Sequence, residues 1–253
     1  MKDAPTLQYE FVRVGGVAHE IGKFEMSVEA EVVAKAGRHA VILCHPDPRS
    51  FNHGIAEAYC DAVRNAGQSV VMRDLYALGF DPVLKADERP TLASPLLSAD
   101  VAIELDMIAG SDVFVLIYPI WFASPPAMMK GYIERVLGSR VRPEAIQKRA
   151  RTDLLGKKRL LSFTTSAASG IWLNEQGQEQ GLRSVFDDYL VHAFGMHSQD
   201  HKRFDHITAD LGQRFADQHF LEVATQAQRT CAQIAFGDEA LLRDPTLARR
   251  FTR

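Results

Sequence analysis

The sequence predicts a single-domain α/β fold built around a doubly wound parallel sheet, and three observations predict it. Short continuous apolar runs recur at 39–45, 113–118 and 159–164, as strands buried on both faces require. Between them lie stretches of helical period, and the connections are long enough for parallel crossovers. The composition is that of a sizeable core: 253 residues, 46% hydrophobic and 24% charged, close to the globular averages of ~45–50% and ~25%.

Taken in order, residues 1–38 differ in character from the rest and read as an N-terminal extension to a domain of 39–253. Leu7, Tyr9 and Phe11 alternate with polar residues and Gly15-Gly16 offers a turn, so a small hairpin is expected. Met26, followed by Ser27-Val28-Glu29, would serve as a start of translation. The first 25 residues are accordingly expected to be an appendage, or not to be made. The run 39–45 is the first strand. Residues 52–66 form the first helix, with Ile55, Ala58, Tyr59, Ala62 and Val63 on one face and Gly67 as its stop. A second strand follows at 69–72. A second helix at 98–109 has Ser98 as a candidate cap and Gly110 as its end. The strand at 113–118 leads through Pro125-Pro126, suited to a first helical turn, into a helix reaching Val136. The strand at 159–164 is followed by a polar loop. Helices at 184–194 and 210–234 complete the chain, with a strand between them after Gly195.

Charge and cysteine usage exclude several functions. With 29 basic and 32 acidic residues the net charge is −3, so neither a basic surplus nor a basic stripe points to nucleic acid. The clusters within 148–159 read as a solvated loop. Cys44, Cys60 and Cys231 are an odd number with no paired spacing, which fits free thiols in a reducing compartment. The amino terminus lacks the basic start and apolar core of a secretory signal. The longest uncharged run, 113–129, is short of the ~20 residues of a spanning helix and holds three prolines. A cytoplasmic protein is expected.

In doubly wound sheets ligands bind outside the carboxyl ends of the strands, so the segments after each strand carry the candidate site. The first is His45-Pro-Asp-Pro-Arg-Ser-Phe-Asn-His53. Ser50 and Asn52 stand at a helix start, where unpaired N–H groups and the helix dipole suit a phosphate; either also suits a plain N-cap. Neither GxGxxG nor GxxxxGK[ST] is present. The second is Tyr118-Pro-Ile-Trp-Phe-Ala-Ser-Pro-Pro126. Its prolines stiffen the loop, and Trp121 and Phe122 offer faces for a flat ring, though such a pair also suits a core. The third is Thr164-Thr-Ser-Ala-Ala-Ser-Gly170, whose hydroxyls and N–H groups can bond ring heteroatoms.

Together HPDPRSFN, YPIWFASPPAMMKGYIERV and FTTSAASG resemble the flavodoxin-like NAD(P)H:quinone oxidoreductases, a group that includes the ancillary subunits of potassium-efflux antiporters. The resemblance covers roughly 39–195, and the run through Pro126, Ala127, Lys130, Gly131 and Tyr132 is its most specific part. It implies a tightly held flavin, FAD with FMN as the alternative, in a homodimer with sites at the subunit interface. By position, His45, Ser50, Phe51 and Asn52 would hold the phosphates and the ribityl or adenosine side. Pro119, Ile120, Trp121 and Phe122 would line the ring, and Thr164, Thr165, Ser166 and Ala167 would bond its pyrimidine edge. The implied activity is ping-pong, two-electron reduction of a quinone or related electrophile by NAD(P)H. The alternative is a flavin-binding regulatory partner of a membrane potassium-efflux system. Some family members use a tyrosine and a histidine after the third loop. Here Trp172 stands at the first position, a candidate substrate contact, and Gln178 near the second. A tryptophan can stack but gives no phenolic proton.

Other constellations carry less. His192, His197, His201 and His206 have no metal-ligand spacing and are expected on a solvated surface, with no metal site. GxSxG is absent, so a hydrolase nucleophile is not indicated. Cys44 is expected to be a small buried apolar residue, and Asp47 to point outward.

Overall fold

The computed structural model describes residues 36–139, 141–148, 154–175 and 177–251, with only the backbone described at Trp172 and a few other helix and strand positions. Residues Val33–Arg253 form one unit. The expected N-terminal hairpin lies outside the described residues.

Five strands form one parallel sheet: β1 (Arg38–Leu43), β2 (Ser69–Asp74), β3 (Val113–Pro119), β4 (Arg159–Thr165) and β5 (Ser198–Phe204). Their order is β2-β1-β3-β4-β5. The chain steps outward from β1 to β2, then crosses back to β3 and continues the other way. Strand order therefore reverses between β1 and β3, where the loops leaving the two strands diverge and open a crevice.

Alternation along the strands builds two cores. Val41, Leu43, Val113, Val115, Ile117, Leu161 and Phe163 face α1 (Phe51–Asn65) and the long α8 (Gln213–Phe236). Ala40, Ile42, Phe114, Leu116, Tyr118 and Leu160 face α2 (Ala99–Ile108), α3 (Ala127–Tyr132) and α7 (Asp188–Phe194). Each fully buried Val, Leu, Ile or Phe is worth about 1.5–3 kcal/mol, and the polar residues buried in the strands, such as His39 and Ser162, are each hydrogen-bonded.

The helices keep their expected places but not their expected regularity. Beyond α3 the backbone widens into a π-type turn at Ile133–Leu137, and another at Arg183–Asp187 precedes α7. Short helices α4 (Pro143–Gln147), α5 (Gly170–Glu175), α6 (Gln178–Leu182) and α9 (Asp238–Arg243) fall where the sequence shows only loop composition. Pro126 occupies the N-cap of α3 rather than its first turn. Ser98 precedes α2 but makes no capping bond; its hydroxyl donates to Glu88 instead. Gly67 (φ 72°) and Gly195 (φ 64°) end α1 and α7 in the left-handed region, as helix stops require. Among the described residues no helix is long and apolar enough to cross a membrane.

Candidate active site

The three loops singled out in the sequence leave the carboxyl ends of β1, β3 and β4 and are tied to one another. The Cys44 N–H extends the strand pairing by bonding the Ile117 carbonyl at 2.9 Å. The next residue, His45, folds onto its own loop, with Nδ1 3.1 Å from the Asp47 backbone nitrogen and 3.3 Å from the Asp47 carbonyl oxygen. Burial pushes the His45 imidazole below its ordinary value, and the neighbouring His53 acts in the same direction. Asp47 points outward, as expected, and caps the Arg49 N–H at 2.9 Å.

Ser50 caps α1, with its Oγ accepting the His53 N–H at 3.4 Å. Ser50 is thus an N-cap, at the positive end of a fifteen-residue helix with no acidic residue in its first turn. His53 was not anticipated. Its Nδ1 lies 2.9 Å from Ser50 Oγ and its Nε2 3.0 Å from Asp74 Oδ2, at the end of β2. The other Asp74 oxygen accepts the N–H groups of Tyr76 and Ala77 at 3.1 and 3.2 Å. Spacing of three residues on a helix, and the carboxyl end of a strand beside β1, were the signals that could have found this pair.

Asn52 is buried and donates from Nδ2 to Thr165 Oγ1 at 2.9 Å, joining the first loop to the third. Phe51 turns the other way. Its ring stacks on Phe220 of α8 at 4.8 Å, with Phe204 and His219 edge-on beside it. Packing accounts for Phe51, and the structure brings it to α8 rather than to the other loops.

In the second loop, Pro119 is buried at the end of β3 and the Ile120 N–H bonds the Thr165 carbonyl at 2.8 Å, joining the second loop to the third. Trp121 and Ser124 then exchange backbone bonds of 3.0 and 3.1 Å around a two-residue turn. Phe122 (φ 49°) and Ala123 (φ 60°) both lie in the left-handed region, which side chains with a Cβ enter at a cost of about 1–3 kcal/mol each. The turn holds the aromatics out of the core. Trp121 is 39% exposed and leans on His45 with ring centroids 5.9 Å apart, and Phe122 is wholly exposed. A core role for this pair is excluded.

The pleat divides the third loop. Thr165 faces α1, whereas Thr164 faces the opposite side and pairs its Oγ1 with His201 Nε2 at 2.8 Å. Thr164 is thus brought to His201 rather than to the hydroxyl of its neighbour. Ser166 is anchored on three sides: its N–H bonds the Phe204 carbonyl, its carbonyl accepts Ile207 N–H, and its Oγ accepts Ala168 N–H. Ala167 is exposed at the tip. Gly170 opens α5 where an added Cβ would lie 2.3 Å from an Asp205 carboxylate oxygen, so a larger residue would make that side chain shift. Trp172 follows in α5; its side chain, and with it the expected substrate contact, lies outside the described residues.

One expectation is corrected. His201 does not belong to a solvated histidine surface. Its side chain is 6% exposed, and its Nδ1 meets Asp187, fully buried, at 2.5 Å. Asp187 also accepts from Ser162 Oγ at 2.9 Å. Tyr118 Oη, on the same side of the sheet, is buried with no hydrogen-bond partner. No motif links Asp187 to His201; the pairing of β5 with β4 sets His201 beside Ser162, and the turn at Arg183–Asp187 brings Asp187 to both. Cys44 is buried as expected, and burial pushes its thiol up to about 12.

The donor set therefore has three parts in one crevice: a hydroxyl and helix N–H groups suited to an anion, two exposed aromatic faces, and a polar edge at Thr165 and Ser166. That set fits a planar ring with an anionic tail.

Several known proteins are similar to this chain. An uncharacterized NAD(P)H oxidoreductase of Haemophilus influenzae is 29% identical over 172 residues, covering 67% of this chain and 84% of that protein. NAD(P)H dehydrogenase [quinone] 1 of Rattus norvegicus is 27% identical over 152 residues, so the chain spans about half of that relative, 56% of its length. The NAD(P)H:quinone oxidoreductase from Methanothermobacter marburgensis superimposes with a TM-score of 0.66 at 19% identity, covering 78% of this chain and 98% of that one. A family model described as flavodoxin-like fold matches residues 37–229, and with the strand order and crevice above, the chain belongs to that flavodoxin-like family.

Proposed function

We propose that this chain is a flavin-dependent NAD(P)H oxidoreductase that reduces quinones or related electrophiles by two electrons. The observation that carries the reading is the junction at Thr165. Its hydroxyl takes Asn52 and its carbonyl takes Ile120 N–H, so the anion-seeking loop, the aromatic loop and the polar loop meet at the switch point. In the flavodoxin-like strand order that point is where FMN binds. FAD is the proposed cofactor here, with FMN as the alternative.

When bound, the flavin supplies the hydride relay between nicotinamide and acceptor. The chain's own residues bind and orient. Ser50 and the first-turn N–H groups of α1 hold the phosphates. Trp121 and Phe122 wall the ring on its apolar side and exclude water. Thr165, Ser166 and Ala167 present the polar edge. By holding donor and cofactor in place, these residues would contribute orientation worth up to ~7–11 kcal/mol.

The working unit proposed is a homodimer. The surface proposed to meet a second copy is the exposed ring of Phe122 and the groove where Val185 and Tyr189 stand open over Ile133, Phe186 and Leu190. The three described cysteines, all free and buried, fit a reducing compartment, and the cytoplasm is the proposed location.

Purification tests the reading directly. The protein is expected to be yellow, to release FAD or FMN on heating, and to give parallel double-reciprocal lines when NAD(P)H and a quinone are varied together. A colourless protein that takes up neither flavin on soaking overturns it.

A further inference from the structure

The chain Ser50–His53–Asp74 does more than cap a helix. Asp74, as a carboxylate, only accepts hydrogen bonds, so His53 must carry a proton on the Nε2 that faces it at 3.0 Å. In the neutral ring Nδ1 is then bare. The Ser50 hydroxyl, 2.9 Å away, donates its single hydrogen there, while its oxygen accepts the His53 N–H. In that state Ser50 has no hydrogen left for an anion at the end of α1. If a proton from solvent enters Nδ1, the direction of the bond reverses: Nδ1–H donates to Ser50 Oγ, and the hydroxyl hydrogen is freed.

We propose that His53 is a positioning residue whose protonation turns Ser50 into a donor to the flavin's phosphates, so that binding of the anionic tail takes up a proton. The inference rests on the flavin reading above and concerns residues that the sequence motifs do not mark. The charged and titratable groups around His53 are Asp74 at the end of β2, Asp47 in the loop after β1, His45 with ring centroids 6.5 Å apart, and Glu57 one turn further along α1. His53 and Asp74 are 13% and 16% exposed, so the pair is shielded yet reachable by solvent protons.

The sign follows from linkage. The bound state favours the imidazolium, so affinity is full at low pH and falls as pH rises through the range where imidazoles titrate. FAD is the suitable probe, because its pyrophosphate diester keeps its charge there whereas a phosphomonoester loses a proton near pH ~6. The apoprotein is titrated with FAD from about pH 5.5 to about 8.5, following quenching of flavin fluorescence at constant ionic strength. A charge-assisted bond of this kind predicts wild-type affinity falling roughly tenfold or more across the range. His53→Gln is expected to bind with flat affinity, and Ser50→Ala to bind more weakly and also flat. Riboflavin, which lacks the phosphates, should show no slope with the wild type. Calorimetry in two buffers of different ionisation enthalpy should count up to about one proton taken up per FAD. Wild-type FAD affinity independent of pH, or a slope that survives His53→Gln, overturns the inference alone. Absence of FAD binding at every pH overturns the flavin reading and this inference with it.

Discussion

Thr165 shows how much one residue of this site decides. Its hydroxyl accepts the buried Asn52 amide and its carbonyl accepts Ile120 N–H, so both joints between loops pass through it. Thr165→Val keeps shape but leaves the Asn52 donor without its acceptor, at a cost of about 1–3 kcal/mol. The expected outcome is a lower denaturant midpoint together with flavin loss on desalting, read from the ratio of flavin to protein absorbance. Trp121→Ala should separate the two effects. Its indole is 39% exposed, so stability should change by no more than about 0.5 kcal/mol while retained flavin falls. Unchanged flavin content in both variants removes the aromatic wall and the polar edge from the site. The sequence made these residues legible because each follows an unmistakable strand, and position after a strand is itself a physical signal. His201 and Asp187 carry no such signal. Their contact exists only because β5 sets His201 beside Ser162 of β4 and the π-type turn before α7 lays Asp187 over both, and a histidine among three others reads as surface until that packing is known. The stacking of Phe51 on Phe220 was not legible either, because it depends on where α8 packs.

At the scale of elements, the two π-type turns have a common effect: each places a charged side chain inside the protein. Ile133–Leu137 delivers Arg135, and Arg183–Asp187 delivers Asp187, both nearly or wholly buried. Arg135 clasps Glu88 with two bonds of 2.9 and 2.6 Å, reaches Asp100 at 2.8 Å, and lies over the Phe80 ring. This holds the long connection between β2 and α2, which has no regular secondary structure of its own. The Arg135 guanidinium keeps the Glu88 carboxyl down at about 2, against an ordinary 4.5. A depressed carboxylate stabilises the fold fully above its unfolded value and loses that contribution as pH falls through its folded one. Roughly 3 kcal/mol should therefore disappear between about pH 4.5 and about pH 2. Glu88→Gln should flatten that part of the stability–pH curve while lowering stability at neutral pH by about 1.5–3 kcal/mol, because Arg135 loses its charged partner there and keeps only Asp100. Urea unfolding at a series of pH values reads both effects. An unaltered acid limb in the variant would show that Glu88 does not govern it. Hydrophobic period located these helices and not their π turns, since an inserted residue in a helix leaves the apolar spacing nearly intact. The short α4, α5, α6 and α9 escaped for a simpler reason: five- and six-residue helices are below the length at which period can be counted.

At the scale of the whole molecule, the site belongs to no single segment. The first loop leaves β1, the second β3 and the third β4, and His53 needs Asp74 from β2, so four of the five strands must be in register before the crevice exists. An unfolded or partly paired chain has none of it. A ligand held there binds the native state alone and must raise the unfolding temperature by mass action. At a hundredfold excess over its dissociation constant, the flavin should add about 2.7 kcal/mol. For a protein of this size that is roughly 5–10 °C in Tm. Thermal unfolding followed with and without FAD measures it, and the shift should grow with the logarithm of ligand concentration rather than saturate at one equivalent. If the proposed homodimer is the unit that holds the flavin, Tm of the loaded protein should also rise with protein concentration, since association and cofactor binding then favour the same folded state. A Tm indifferent to FAD would mean that any flavin on the purified protein sits on a surface the sheet does not build.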